Sequence, residues 1–180
     1  QVTVFEASDQ TGGMLRSGIP AYRLPREVLD KEIAYILDHG ITLQTNTCLG
    51  KDMDIPGLKN QGFAAIYLAM GAHRSLKLGL AGEDSMEGVM DAVTFLKQIN
   101  SGQDTGCQGH VVVVGGGNVA VDAARCAARI PGCRVTLLYR RTRKQMPAYA
   151  EEIDGALEEG ITIVDLAHPV GLKSHDGRVT

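Results

Sequence analysis

Val111-Val112-Val113-Val114-Gly115-Gly116-Gly117-Asn118-Val119-Ala120 is the stretch on which the reading of this chain turns. Its first four residues are apolar and β-branched, as expected of a parallel strand buried on both faces. The next six match Gly-x-Gly-x-x-Ala. That pattern is common by chance and gains meaning only between a strand and a helix. A helix is predicted to follow, because Asn118 to Ile130 is rich in Ala, lacks Pro and ends at Pro131-Gly132. In this setting each small residue has a task. Gly115 allows the tight turn out of the strand, Gly117 lets a diphosphate approach the backbone, and Ala120 keeps the helix close to the sheet. Amides at the helix start, aided by the helix dipole, then face the phosphates.

Working outward, Arg134 to Tyr139 reads as a second strand and Ala148 to Glu159 as a second helix, closed by Gly160. Ile161 to Val164 reads as a third strand. The order β-α-β-α-β predicts a parallel sheet with right-handed crossovers. Asp176-Gly177 predicts a hairpin turn whose return strand starts at Arg178-Val179.

The end of the second strand selects the cofactor. An acid there would accept hydrogen bonds from an adenosine ribose and repel a 2′-phosphate. The chain instead reads Tyr139-Arg140-Arg141-Thr142-Arg143, about 25 residues past Gly115. Guanidinium groups form planar, charge-assisted contacts with phosphate. Each such bond contributes roughly 1.5–3 kcal/mol, so two would shift preference by about two to four decades. The pattern therefore predicts NADPH, its diphosphate at Gly115, Gly117 and the start of the helix and its 2′-phosphate at Arg140 and Arg141. An ordinary solvated basic run is the bland alternative for the arginines; their place in the unit is what sets it aside.

Upstream, Val2 to Phe5 predicts a short strand ending at Glu6, followed by a glycine-rich segment from Thr11 to Pro20. Arg26 to His39 predicts an amphipathic helix, with Pro25 at its start and Gly40 at its end. Ile41 to Gln44 alternates as a strand, Asp52 to Gln61 reads as a loop around Pro56-Gly57, and Ala64 to Ala69 has the length and composition of a buried strand. A connector from His73 to Asp84 and a helix within Gly88 to Ile99 lead to the glycine loop, so a lobe boundary is expected between residues 73 and 108. Glu6, at a strand end before Gly12-Gly13, is placed to hold a second adenosine ribose; an ordinary surface glutamate fits the local pattern equally well.

Composition excludes several classes. Of the 180 residues 44% are apolar and 22% charged, which argues against disorder. A net charge of −3 provides no field for nucleic acid or a membrane surface, and no apolar run is long enough to span a bilayer. The opening residues do not form a secretory signal. Cys48, Cys107, Cys126 and Cys133 lack C-x-x-C spacing, so they read as structural thiols in a reducing cytoplasm, with no metal site. His73, His110 and His168 receive no role, and Glu151 and Glu152 read as first-turn acids of a helix. No side chain stands out as a catalytic acid, base or nucleophile, as expected where cofactors carry the chemistry.

The run Gly12-Gly13-Met14-Leu15-Arg16-Ser17-Gly18-Ile19-Pro20-Ala21-Tyr22-Arg23-Leu24-Pro25 resembles the signature of the glutamate synthase small (β) subunit family. Leu80-Ala81-Gly82-Glu83-Asp84 in the connector resembles it too. So does the second lobe, from Val111 through Arg140-Arg141-Thr142-Arg143 to Met146-Pro147-Ala148 and Glu151-Glu152. The resemblance covers nearly the whole chain. It implies an α/β fold of Rossmann-like three-layer nucleotide-binding lobes, a flavin domain with an inserted NADPH domain. Residues 1–75 would be part of the FAD-binding domain, 76–108 a connector and helix, and 109–180 the NADPH-binding domain.

The resemblance further implies an NADPH-dependent oxidoreductase that passes electrons from NADPH to FAD. They would continue through 4Fe-4S clusters, outside this chain, to a glutamate synthase large-subunit-like partner or another acceptor subunit or domain. Glu6 would bind the FAD ribose, Gly13, Met14 and Arg23 would line the flavin nucleotide, Leu49 would contact its adenine side, Met70-Gly71-Ala72 would pack near its diphosphate, and Gly116, Gly117, Asn118, Val119, Arg140 and Arg141 would hold NADPH. The family's first FAD phosphate loop, its closing Gly-Asp segment and its cluster cysteines are not in this stretch. An internal fragment of a longer polypeptide is therefore expected, inactive by itself. Two other classes compete. A non-catalytic NADP-binding piece of a larger assembly would bind NADPH and transfer nothing. A simple NADP-dependent dehydrogenase would need a Tyr–Lys or His constellation that the sequence lacks, and it leaves Gly12 to Pro25 unexplained.

Overall fold

The computed structural model describes residues 1–73 and 75–179. The chain forms two compact units: Gln1–Ser17 with Ala21–Ala72, and Gly18–Pro20 with the described part of His73–Thr180.

In the first unit, β1 (Thr3–Phe5) and β2 (Thr42–Gln44) pair in parallel, with Val4 opposite Leu43. Between them lie α1 (Gly13–Ser17) and α2 (Arg26–Leu37). The glycine-rich segment from Thr11 to Pro20 thus contains a short helix. It starts at Gly13, after Gly12 has turned the chain with φ +114°, and Arg16 ties it back by donating to the Thr11 carbonyl at 2.5 Å. Helix α2 begins after Pro25 and is left through Gly40, whose φ of +81° suits only glycine well.

Two expectations for this unit fail. Residues 52–61 hold a helix, α3 (Ile55–Asn60). Asp54 caps it by accepting the Gly57 amide at 2.7 Å, and Pro56 lies in the first turn, where a missing N–H costs nothing. Ala64 to Ala69 forms no strand and joins no sheet among the described residues, and Tyr67 is 92% exposed. An apolar run becomes a strand only where a neighbouring strand accepts its hydrogen bonds, and no described strand does so here.

The second unit contains α4 (Ala92–Asn100) and a parallel sheet of β3 (Gly109–Val114), β4 (Cys133–Tyr139) and β5 (Thr162–Asp165), in the order β3-β4-β5. Helices α5 (Asn118–Ala128) and α6 (Ala150–Glu158) make the two crossovers. Sequential strands lie side by side, as in one half of a nucleotide-binding sheet. Strand β3 was expected to be buried on both faces. It pairs only with β4 among the described strands, and Val112 is 50% exposed. The buried strand is β4, where Val135, Leu137 and Tyr139 point into the core with Val121, Ala124 and Ala127 of α5 and Ile153 and Ala156 of α6. Cys126 belongs to this core, and burial pushes its thiol up to about 11.

In the connector, the Glu83 carboxylate accepts the amides of Leu78 and Gly79 at 2.8 Å and of Leu80 at 3.3 Å. The Leu78 bond leads in holding the carboxyl below its ordinary range. Strands β6 (Ser174–His175) and β7 (Arg178–Val179) form the expected hairpin, with Asp176 and Gly177 both at positive φ.

Helices α5 and α6 are joined by ions as well as by packing. Arg125 bonds Glu152 and, at 2.5 Å, Glu159; Arg129 reaches Glu159 at 2.8 Å. Gly155 makes room for this, since a Cβ there would lie 3.1 Å from the Arg125 guanidinium. Glu152 is therefore a partner of Arg125, beyond its place in the first turn. Burial opposes charge on Glu159, but hydrogen bonds from Arg125 and Arg129 outweigh it and hold the carboxyl below its ordinary range. Such a group stabilises fully above its unfolded pKa, and the contribution is lost as pH falls through the folded pKa. Glu159→Gln should lower stability by roughly 1–3 kcal/mol at neutral pH. Urea unfolding should show the deficit shrinking as the pH falls below the carboxylate range; a deficit independent of pH would contradict the assignment.

Candidate functional site

The site forms at the carboxyl edge of the β3-β4-β5 sheet. Val114 stands opposite Leu138 in the register, and one residue later the Gly115 amide donates to the Leu138 carbonyl at 2.9 Å. The glycine loop therefore leaves β3 beside the end of β4. Gly115 has φ +145°, and a Cβ on it would lie 2.9 Å from the Ala120 Cβ. Gly116 is tighter: a Cβ there would be 2.5 Å from the Tyr139 ring. At Gly117 the nearest such atom is Pro147 Cγ at 4.0 Å, so this position is open. The first two glycines serve the protein's own packing, and the third leaves space.

Gly117 is also the N-cap of α5, with no side chain bonded to the helix end and no acid in the first turn. The first intrahelical bonds run from Ala120 and Val121 to the Gly117 carbonyl at 3.0 and 3.1 Å, so the amides of Asn118 and Val119 precede the ladder. Such an end suits an anion, because its N–H groups and the helix dipole point the same way.

A second segment braces the loop. The Ala148 amide donates to the Gly116 carbonyl at 3.1 Å, and the Tyr149 amide to Asn118 Oδ1 at 3.0 Å. The Asn118 side-chain oxygen is thus used within the fold. Val119 is exposed, at 44%.

Arg140 and Arg141 follow β4 directly and are both exposed. Their backbone is fastened to the continuation of β5: Leu166 donates to the Arg141 carbonyl at 3.1 Å and Ala167 to the Tyr139 carbonyl at 3.0 Å. A single 3₁₀ turn, Arg143–Gln145, closes the segment. Gln145 Oε1 accepts from Thr142 N at 3.3 Å and Thr142 Oγ1 at 3.0 Å, and Arg143 N donates to Asp165 Oδ2 at 2.9 Å. The structure thus brings Gly115, Gly116, Gly117, Asn118, Val119, Arg140 and Arg141 to one edge of one sheet. Sequence reasoning missed Tyr139, Gln145 and Asp165 as supports. The Thr142-x-x-Gln145 spacing, a capping-box pattern, is the signal that could have found one of them.

The remaining expected residues lie in the first unit. Glu6 directly follows β1, and its Oε1 accepts the Ser8 amide at 2.8 Å, which leaves the second oxygen with capacity for a diol. Thr47 N donates to the Glu6 carbonyl at 2.9 Å, and Leu49, two residues further on, bridges to Met53. Gly13 and Met14 open α1, and Arg23 is half-buried beyond it. Gly71, with φ +71°, is exposed in the segment after the run 64–69, with Met70 and Ala72 exposed beside it. Among the described residues no group of three or more His, Cys, Asp or Glu could hold a metal, and no helix is long and apolar enough to cross a membrane.

A glycine loop between a parallel strand and an uncapped helix defines the dinucleotide-binding class of α/β proteins. Comparison with known proteins is specific: residues 3–176 match the family described as pyridine nucleotide-disulphide oxidoreductase, and the chain belongs to that family. It is 42% identical over 181 residues to the NADP(+)-dependent formate dehydrogenase subunit beta of Moorella thermoacetica, covering 99% of this chain and 26% of that protein. It is 32% identical over 192 residues to the glutamate synthase [NADPH] small chain of Escherichia coli K12, covering 100% of this chain and 40% of that protein. The chain therefore spans about a quarter to two-fifths of these relatives' lengths. Among solved structures, Mycobacterium tuberculosis FprA in complex with NADPH has the same fold. The match has a TM-score of 0.81 at 18% identity, over 99% of this chain and 59% of that one.

The steric contrast within the loop is testable. Gly116→Ala should cost roughly 1–3 kcal/mol of stability, because the methyl meets the Tyr139 ring. Gly117→Ala should unfold within about 1 kcal/mol of the parent yet lose nucleotide affinity. Thermal unfolding and nucleotide titration of both variants check this; equal effects on stability would contradict it.

Proposed function

We propose that this chain is the NADPH-binding part, with a portion of the FAD-binding part, of an NADPH-dependent flavoprotein oxidoreductase. The observation that carries the reading is the convergence of the uncapped α5 N-terminus, the open Gly117 and the Arg140–Arg141 pair at one sheet edge. The diphosphate would rest on the amides of Gly117, Asn118 and Val119, and the two guanidinium groups would hold the 2′-phosphate. Glu6 would accept hydrogen bonds from the FAD ribose, with Gly13, Met14, Arg23, Leu49 and Gly71 along the rest of that nucleotide.

When bound, NADPH supplies a hydride and FAD receives it. This chain's residues bind, orient and charge-match the two nucleotides, and none of them acts as an acid or base. Electrons would leave through iron–sulfur clusters or a partner subunit outside this chain. The relatives' names support a shared NADPH-side module with differing outlets, since one is a formate dehydrogenase subunit and another a glutamate synthase chain. Residues 1–75 would belong to the flavin domain and 109–180 to the inserted NADPH domain.

Calorimetric titration should show NADPH bound in preference to NADH. Arg140→Ala with Arg141→Ala should reduce that preference by roughly two to four decades. An unchanged preference in the double variant would overturn the assignment of the arginines.

A further inference from the structure

One side chain touches both halves of the site described above. The Tyr139 ring, 8% exposed, lies where a Cβ on Gly116 would be. Its hydroxyl donates to the Gln145 carbonyl at 2.8 Å. Gln145 in turn is bound to Thr142 through its side chain and through its amide, which donates to the Thr142 carbonyl at 2.9 Å. The segment carrying Arg140 and Arg141 is therefore closed at one end by strand β4 and at the other by a turn hung from the phenol.

Packing against Gly116 needs only the ring. A phenylalanine would fill that space equally well, so the hydroxyl's contribution lies in the arginine segment. The separation of diphosphate and 2′-phosphate is fixed by the covalent structure of the cofactor. A site that reads both must hold its glycine loop and its arginines at a matching distance, and preorganisation of this kind raises affinity without adding a contact.

We propose that the Tyr139 hydroxyl is a positioning group for 2′-phosphate recognition: it sets the Arg140–Arg141 segment relative to the glycine loop and so supports the preference for NADPH over NADH. The proposal rests on the NADPH reading of the site. The group never touches the cofactor and acts through the arginines, so its removal affects only the phosphorylated dinucleotide.

Calorimetric titration of the protein, of Tyr139→Phe, of Arg140→Ala with Arg141→Ala, and of the triple variant, each with NADPH and with NADH, tests this. Tyr139→Phe should weaken NADPH by roughly two- to tenfold, the range expected for one neutral hydrogen bond. NADH affinity should stay within about twofold, and the triple variant should bind NADPH no more weakly than the arginine double, since both changes act on one interaction. Should Tyr139→Phe fail to fold, Gln145→Ala loosens the same turn from its exposed side and carries the same expectation. Equal weakening of NADPH and NADH, or no change in either, overturns the positioning role. If the arginine double variant itself keeps the full preference, the reading of the site falls, a result distinguishable from a failure of Tyr139→Phe alone.

Discussion

Everything at this sheet edge depends on the absence of side chains at Gly115 and Gly116. Ala120 can approach Gly115 and the Tyr139 ring can lie on Gly116 only because neither glycine carries a side chain. That contact draws the start of α5 to the end of β4. Without it, the uncapped helix and the arginines would share a sheet but not a site. Glycine here serves close approach more than backbone freedom, since at Gly116 the obstacle to a side chain is the ring.

The same economy appears across the unit. Ala120, Ala123, Ala124 and Ala127 on α5 are small enough to bring the helix onto β4, and Gly155 on α6 is small enough to admit the Arg125 guanidinium. Small residues set the distances, and polar groups then fix the geometry at those distances. The ion cluster of Arg125, Arg129, Glu152 and Glu159 joins the two crossover helices at a partly solvated edge. The proposed nucleotide site lies at the other end of α5, where backbone amides lead.

Where local pattern and packing agree, the fold was legible. The Ala-rich helix after the glycine loop, the strand before Arg140 and the Asp176-Gly177 hairpin all have strong local signals and form as expected. The glycine loop and arginine pair were legible as motifs, because their meaning comes from spacing along a strand–helix–strand path. Ala64 to Ala69 misled because strand formation depends on a partner, which composition does not report. The α3 helix was hidden because Pro56-Gly57 punctuates loops and first helical turns alike; the Asp54 cap decides between them. Val112 shows the limit of reading burial from an apolar run, since a strand's neighbours lie far away in sequence. Tyr139 was invisible as a link because its two partners, Gly116 and Gln145, meet only through the fold.

The central claim is that one edge of the β3-β4-β5 sheet reads a dinucleotide at two points, its diphosphate and its 2′-phosphate. A crystal structure of the protein with NADPH bound tests it most directly. Diphosphate oxygens are expected within hydrogen-bond distance of the amides at the start of α5, and the 2′-phosphate on the guanidinium groups of Arg140 and Arg141. A dinucleotide seated elsewhere, or one whose 2′-phosphate points away from both arginines into solvent, would contradict it.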